Sequence, residues 1–531
     1  MSIIVSGIQM PFESTNQDAA AEALKRIKAS DSLCASCDIH KISFDLRHNK
    51  LSKVYSVELE MDLDEQALVQ KLDDPAIKMR SRAEMPRPGG TEKLNDRPVI
   101  IGFGPAGLFA ALVLARNGYR PIVFERGGSM EVRDRKVDTY FGGGALDLAS
   151  NVQFGEGGAG TYSDGKLTTR INDPKSQLVL DLLGEYGAEK EMLIKAKPHI
   201  GTDKLKGIVK RMREAVIELG GEVLFEDQIV DITHKNGRLV SVTDANGDTY
   251  GAQVAVLATG HSARDTFLML RDRGFDIIPK AFSVGVRAEH RQSDIDYALY
   301  GKYTGRSGLP VGEYTLARRA NGRACYSFCM CPGGHVVAAA SEENTIVTNG
   351  MSYHARSGRN ANAAICVSVD PADFGSSDPL AGMYFQREIE QAAFRAVDGQ
   401  AGAPVQLFGD FAQGKVSKKL GRVEPTYPRG HVFTDLRKVL PGYVCDMIIE
   451  SMPQFGRKLK GFDAHDTVFT APETRTSSPI RVVRGEDLMA TGIDGLIPCG
   501  EGAGYAGGIV SAAVDGIRAA AAIMARFAPM Q

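Results

Sequence analysis

No stretch of about 18 uninterrupted apolar residues occurs anywhere in the chain, so no membrane-spanning helix is expected. The opening segment carries Glu13, Asp18 and Glu22 and has no apolar core, so no cleavable leader is expected and the setting reads as cytoplasmic. Charge of one sign is missing too: 63 basic and 65 acidic residues leave a formal net charge of −2 over 531 residues. That balance offers no bulk field for nucleic acid or an anionic membrane, and the expected partners are small molecules. Eight cysteines without a secretory leader read as reduced thiols rather than a disulfide framework. Metal is not expected. Cys325, Cys329 and Cys331 have no second ligand cluster at zinc spacing, and the ten histidines include no H-E-x-x-H. Period-2 spacing instead puts Cys329 and Cys331 on one strand face as small residues lining a pocket, while Cys34-x-x-Cys37 precedes a strand outside any thioredoxin-like setting. A second strand-coupled G-x-G-x-x-G is also absent, so no separate nicotinamide-binding domain is expected.

What is present is concentrated between Arg97 and Arg126, in RPVIIGFGPAGLFAALVLARNGYRPIVFER. Val99 to Ile101 is an apolar run suited to a buried parallel strand, and Gly102, Gly104 and Gly107 follow with the dinucleotide-binding spacing. Gly102 permits the tight turn, Gly104 lets a pyrophosphate reach the backbone, and Gly107 lets the helix pack on the strand. Pro105 and Ala106 start that helix, whose free N–H groups point at the phosphates. Asn117 and Gly118 stop it, and the next strand ends on Glu125, placed to bind a ribose diol, followed by Arg126. The unit reads as a βαβ site for the ADP part of a cofactor.

Length and a 43% hydrophobic content allow about three domains with a large core. The expected fold class is α/β: a Rossmann-like split cofactor domain, an inserted mixed α+β substrate domain and a small N-terminal α+β (ferredoxin-like) domain. The boundaries expected are 1–90 for the N-terminal βαββα unit and linker, 91–280 for the first cofactor part, 281–465 for the insertion and 466–531 for the second cofactor part. A helix at Lys204 to Leu219 leads into a three-stranded meander that contains Val230, and a returning strand ends in Ala258, Thr259 and Gly260. Near the end, strand Gly495 to Pro498, loop Gly500 to Gly508 and helix Ile509 to Arg526 repeat the aim of a helix start at a cofactor.

Four constellations carry candidate chemistry. In GEGAGYAGGI, Glu501 is placed for ribityl hydroxyls, and Gly507, Gly508 and Ile509 face a flavin's N1 and O2 edge. In the segment Asn151 to Arg170, Gly157, Gly158, Ala159, Gly160, Ser163 and Asp164 form a loop along pyrophosphate and isoalloxazine, with Lys166 near N5 or a bound anion. ETRTSSPIR offers Arg475 as a bidentate clamp for a carboxylate substrate, with a surface turn as the alternative. Arg287 is a further basic group on the active-site side, Arg133 a pyrophosphate ligand, and His261 and His290 are acid/base candidates.

These residues resemble the FAD-dependent dehydrogenases often called NAD(P)/FAD-dependent oxidoreductases. The resemblance runs through GFGPAGLFAAL, SNVQFGEGGAGTYSDGKLTTR, KPHIGTD, LATGHSARDTF, YSFCMCPGGHVV, TNGMS, ETRTSSPIR and GEGAGYAGGI, and so through nearly the whole chain. It implies FAD, a two-dinucleotide-binding-fold core with a split cofactor domain, and a small N-terminal α+β domain. The function expected is oxidoreduction of a small, anionic substrate, with NADH or NADPH binding transiently. Two alternatives stand beside it: a structural or regulatory FAD-binding protein without turnover, and a flavin-dependent enzyme that modifies a macromolecule.

Overall fold

Alternating apolar residues in the first 80 positions build a sheet with one face on helices. β1 (Ser2–Pro11), β2 (Cys34–Asp45), β3 (Ser52–Met61) and β4 (Ile77–Arg80) pair antiparallel in the order β2-β3-β1-β4, with α1 (Asn16–Ile27) and α2 (Glu65–Leu72) in the crossings. Ile3, Val5 and Ile8 meet Tyr55, Val57 and Leu59 under Ala19, Ala23 and Ile27 of α1. Thr15 starts that helix through a reciprocal capping box with Asp18. With β4 the order is βαββαβ, one strand more than the sequence reading drew, and the topology is ferredoxin-like.

The computed structural model describes residues 2–530 other than 48, 49, 81, 82, 170 and 401, with only the backbone of Asp31. Arg170, the last residue of the glycine-rich segment, thus lies outside the described residues. The chain forms two units, residues 1–85 with 166–199 and residues 86–165 with 200–531. This corrects the expected boundaries, because residues 166–199 leave the cofactor domain and join the N-terminal unit. They contribute α5 (Lys175–Glu185) and α6 (Lys190–Leu193), and the backbone of Ile42 exchanges 2.8 Å hydrogen bonds with Ile194 and Ala196. Those bonds cover the outer edge of β2, which would otherwise be open to pairing with another chain.

In the second unit, β5 (Val99–Ile101), β6 (Ile122–Glu125), β7 (Glu222–Phe225), β11 (Ala255–Leu257) and β22 (Leu496–Pro498) form a parallel sheet ordered β22-β11-β5-β6-β7. All three residues of β5, β11 and β22 are buried, as expected of a sheet covered on both faces. Three helices serve it: α3 (Pro105–Arg116), α7 (Thr202–Glu218) and α13 (Ile509–Arg526); α4 (Met130–Phe141) follows β6. β8 (Ile229–Lys235), β9 (Arg238–Asp244) and β10 (Thr249–Gly251) form the antiparallel meander read from the Asn-Gly turns.

The inserted part hangs from β12 (Ile277–Pro279), paired with β21 (Ile480–Val482). Its sheet runs through β14 (Ala317–Ala320), β15 (Arg323–Ala338), β17 (Asn360–Val369), β13 (Phe282–Arg291), β20 (Val468–Glu473), β18 (Ala403–Leu407) and β19 (His431–Phe433), with β16 (Thr348–Met351) on β15. Because β20 pairs with β13, the insertion extends to Glu473 and does not close at 465. Helices α8 (Arg264–Asp272), α9 (Gln292–Tyr300), α10 (Ala381–Ala396), α11 (Phe408–Ala412) and α12 (Gly442–Lys458) complete the unit. Among the described residues no helix is long and apolar enough to cross a membrane.

His290 belongs to this core. Its Nε2–H donates to the Phe462 carbonyl at 2.8 Å and its ring stacks on Phe462 at 4.4 Å, so it is a packing residue and not an acid/base group. Burial pushes its pKa down from 6.5 to about 4. Since the folded value lies below the unfolded one, this contribution to stability is full above pH 6.5 and is lost as pH falls toward 4. The loss amounts to roughly 3 kcal/mol. His290→Phe is expected to remove that share of the pH slope in the window, where the lowered His261 adds to the slope and the raised Glu501 opposes it. Urea melts across that range check this, and an unchanged slope would refute it.

Candidate functional site

Several backbones that are distant in sequence approach within van der Waals contact at the start of α3. Gly102 has φ +99°, and a Cβ there would stand 2.5 Å from the Ala258 carbonyl oxygen. A Cβ on Gly107 would stand 1.9 Å from the Gly102 carbonyl, so only glycine lets the helix lie on its strand. A Cβ on Gly158 would come 2.9 Å from the Gly104 Cα, and one on Gly160 3.0 Å from the Ile509 side chain. The glycine-rich loop is thereby wedged between the first residues of α3 and α13, with Pro105 beside it. Gly500 meets Ala106, and Gly502 meets the backbone of Gly260. Of the sequence-predicted residues, Gly102, Gly104, Pro105, Ala106, Gly107, Gly158, Gly160, Ala258, Gly260, Gly500 and Ile509 are thus brought together.

These backbones enclose an open cradle rather than a packed core. Among the described residues, no atom beyond the chain neighbours lies within 4 Å of where a Cβ would stand on Gly260, Gly507 or Gly508. Neither Gly104 nor Gly508, the caps of α3 and α13, has a side chain to cap its helix, so both positive helix ends stay available to an anionic dinucleotide. The observed cradle therefore fits a group such as FAD.

Four polar residues read as cofactor ligands instead hold the cradle's walls. Arg133, fully buried, donates to the carbonyls of Asn151, Val152, Gly155, Glu156 and Gly158 at 2.6–3.4 Å. It is not a pyrophosphate ligand, because its guanidinium is spent on the loop backbone that carries Gly157 and Gly158. Asp164 is likewise taken, paired by a buried ion pair with Arg356. Arg126 pairs with Asp265 at 2.9 Å and lies over Phe154. Ser163 donates to the Gly160 carbonyl at 2.6 Å. Glu125 accepts from the backbone of Phe103, Gly127 and Gly155 at 2.8–2.9 Å, which leaves one acceptor position. Thr259 precedes Gly260 in the same turn and Ala159 opens a short 3-10 turn in the loop, while Val230 is exposed near the start of β8.

The expected catalytic arginines are corrected by their partners. Arg287 in β13 is fully buried and uses all its donors: Glu473 at 2.5 and 3.1 Å, the Cys329 carbonyl at 2.9 Å, Asn362 at 3.3 Å and Asn349 at 3.2 Å. Arg475 grips Glu390 through two 3.1 Å contacts and donates to Ser341 at 2.5 Å. Arg264 grips the same Glu390 at 2.9 Å from the other side and reaches Glu342 at 2.6 Å. Neither Arg287 nor Arg475 presents a free planar fork to a substrate. Lys166 opens the segment that joins the N-terminal unit, in an antiparallel bridge with His199.

A cluster of other groups stands where the two cofactor loops meet. His261 Nε2 lies 3.8 Å from Glu501 Oε1, and its Nδ1 lies 3.3 Å from the Ser262 hydroxyl. Burial, then Arg475 and Arg264, push the His261 pKa down to about 4. Burial pushes Glu501 up to about 7 against the pull of Lys280. At neutral pH an uncharged imidazole therefore faces a carboxyl divided between its two forms, an arrangement for moving a proton rather than an ion pair. Lys280 is lowered by burial and by Arg481, and Arg481 lies 5.2 Å from the Tyr505 ring centroid with its Nε buried and unpartnered. No carboxylate among the described residues makes an ion pair with Lys280 or Arg481. Sequence reading passed over both: Lys280 ends a strand ribbon and Arg481 sits in the motif that drew attention to Arg475. Behind them Arg484 and Asp515 pair at 2.7 Å, and Asp515 also accepts from the Gly500 N–H at 2.8 Å, fixing the loop of Glu501.

Residues 96–274 match the family model described as pyridine nucleotide-disulphide oxidoreductase, and residues 281–476 that of the FAD-dependent protein, C-terminal domain-like. An uncharacterised protein of Clostridium beijerinckii is 45% identical over 531 residues, 99% of each chain. Among solved structures, glycine oxidase from Geobacillus kaustophilus is 12% identical, covering 81% of this chain and 95% of that one with a TM-score of 0.35. The quinol fumarate reductase FrdA of E. coli is 12% identical, covering 82% and 71% with a TM-score of 0.37.

Glu390 is the keystone of the arginine network. Burial works against its charge, yet Arg264 and Arg475 hold its pKa down to about 2. Glu390→Gln leaves the buried Arg475 without a counter-charge and Arg264 with Glu342 alone, and is expected to cost about 3–5 kcal/mol of stability in urea melts. A loss below about 1 kcal/mol would show that solvent already screens the pair.

Proposed function

The chain belongs to the family of FAD-dependent oxidoreductases, and on that premise we propose that it moves reducing equivalents between a transiently bound nicotinamide and a small anionic substrate. The reading rests on one observation: the His261–Glu501 pair stands at the loop that opens α13, beside the cations Lys280 and Arg481, which have no carboxylate ion pair among the described residues. Gly102, Gly104, Pro105, Ala106 and Gly107, with the last acceptor position of Glu125, would hold the ADP half of FAD. Gly157 to Gly160, Ala258 to Gly260, Gly500 and Gly507 to Ile509 would line the flavin half. When bound, FAD supplies a two-electron carrier.

The remaining work falls to side chains of the chain itself. Lys280 and Arg481 hold an anionic group of the substrate, the task the sequence reading gave to Arg287 and Arg475. His261 stays uncharged at neutral pH because burial, then Arg475 and Arg264, disfavour its charged form, so its Nε2 faces Glu501 as a neutral partner for the proton rather than as its resting place. Glu501 holds or releases a proton at Oε1, its pKa near neutrality suiting either role. The insertion's sheet, through Arg287 and Glu473, anchors the backbone of β15 at Cys329 near this cluster.

The purified protein is expected to release FAD, not FMN, on denaturation, because the βαβ unit is built around an ADP moiety. Recovery of FMN would overturn the cofactor assignment. Titration of the flavin's visible spectrum with a panel of small carboxylates and matched neutral amides tests the substrate class. Carboxylates should bind selectively, and Lys280→Met should weaken them at least about tenfold, near 1.4 kcal/mol. Equal binding of the amides removes the anion reading. Anaerobic stopped-flow mixing with NADH and NADPH completes the test; failure of both to reduce the flavin would favour a protein without nicotinamide-driven turnover.

A further inference from the structure

The bulged strand of the insertion carries chemistry that the proposed function does not use. The β15–β17 register slips between Phe328 and Cys331, so β15 has one extra residue there. Cys329 sits in that slip with φ +43°, a conformation that a non-glycine residue holds only when its surroundings enforce it. The enforcement is visible: its carbonyl accepts from Arg287 Nη1 at 2.9 Å and from Cys331 Sγ at 3.3 Å. The guanidinium and the second sulfur meet again at Gly350, where Arg287 Nη1 and Cys331 Sγ stand 2.8 and 3.1 Å from the position of a Cβ. Two thiols one residue apart thus border one peptide group that a fixed guanidinium holds in place.

Their exposure differs in a useful way. Cys331 is fully buried, whereas Cys329 is partly open. Cys325, Cys366, Cys445 and Cys499 are buried, and burial raises every one of their pKa values, Cys325 to about 11 and Cys445 to about 12.

We propose that Cys329 and Cys331 form a dithiol–disulfide couple that exchanges two electrons with a small-molecule disulfide, Cys329 attacking and Cys331 resolving. The Cys329 thiolate attacks one sulfur of the disulfide, forming a mixed disulfide and expelling one small thiolate. Cys331 then gives up its proton and attacks Cys329 Sγ, forming the Cys329–Cys331 bond and expelling the second small thiolate. Both leaving thiolates end as thiols; two protein thiols are oxidised and one disulfide is reduced. The same steps run backward when excess thiol is supplied.

The test uses the protein as purified with its flavin, in a Cys34→Ser, Cys37→Ser background, equilibrated in glutathione buffers of graded ratio, acid-quenched and alkylated under denaturing conditions. Trypsin leaves Cys325, Cys329 and Cys331 in one peptide, Ala324–Arg356. Oxidised glutathione should remove two alkyl labels and two hydrogens from that peptide, tandem fragmentation should leave the label on Cys325, and reduced glutathione should restore all three. In Cys331→Ser the mixed disulfide should accumulate on Cys329; in Cys329→Ser, Cys331 should stay a thiol. Three labels at every glutathione ratio, or an adduct on Cys331 in the Cys329→Ser protein, would overturn the couple and its order of attack.

Discussion

Helices α3 and α13 cross so closely that a Cβ on Gly516 would stand 2.1 Å from the Ala106 carbonyl oxygen. Contact at backbone distance fixes where each helix begins, and because one follows β5 and the other β22, both starts fall at the carboxyl end of one parallel sheet. Two partial positive charges then point into the same space, and a negatively charged dinucleotide is the natural occupant. The glycine loop reaches that space only because Gly104, Gly158 and Gly160 lack side chains. Everything else about the site is arranged around this crossing.

Arginines do much of that arranging. Arg133 gathers five carbonyls of the glycine loop, Arg356 ties down Asp164 beyond it, Arg484 braces the loop of Glu501 through Asp515, and Arg287 locks the bulge at Cys329. A guanidinium offers five donors in a plane and suits a site where many backbone carbonyls converge without regular secondary structure. Such loops would otherwise leave buried acceptors unpaired.

Two further arginines set the electrostatics. Arg264 and Arg475 sandwich Glu390, and after burial itself these two guanidiniums do most to disfavour a charge on His261, against the pull of Glu390. Glu501 feels burial more than it feels Lys280, so its proton is held near neutrality. A histidine and a carboxylate whose pKa values have crossed, standing 3.8 Å apart, keep a transferable proton in place without becoming an ion pair.

The local pattern of the chain by itself determined the elements whose residues touch their own neighbours. The strand, glycine turn, helix and acid from Val99 to Glu125 were legible because each of their roles is played within one βαβ unit, and the Ile509–Arg526 helix because its glycines and apolar run are contiguous. Local residues could not show which arginines were free. Arg475 finds Glu390 at a separation of 85 residues, Arg287 finds Glu473 at 186, and Asp164 finds Arg356 at 192. A charged side chain reads as a ligand until its counter-charge is seen, and these counter-charges arrive only when distant strands and helices pack. The same packing left Lys280 and Arg481 without a carboxylate partner among the described residues, grouped residues 166–199 with the N-terminal unit, and put Cys329 in a bulge. Turn chemistry and periodicity are properties of a segment, whereas charge pairing, burial and domain membership are properties of the folded whole.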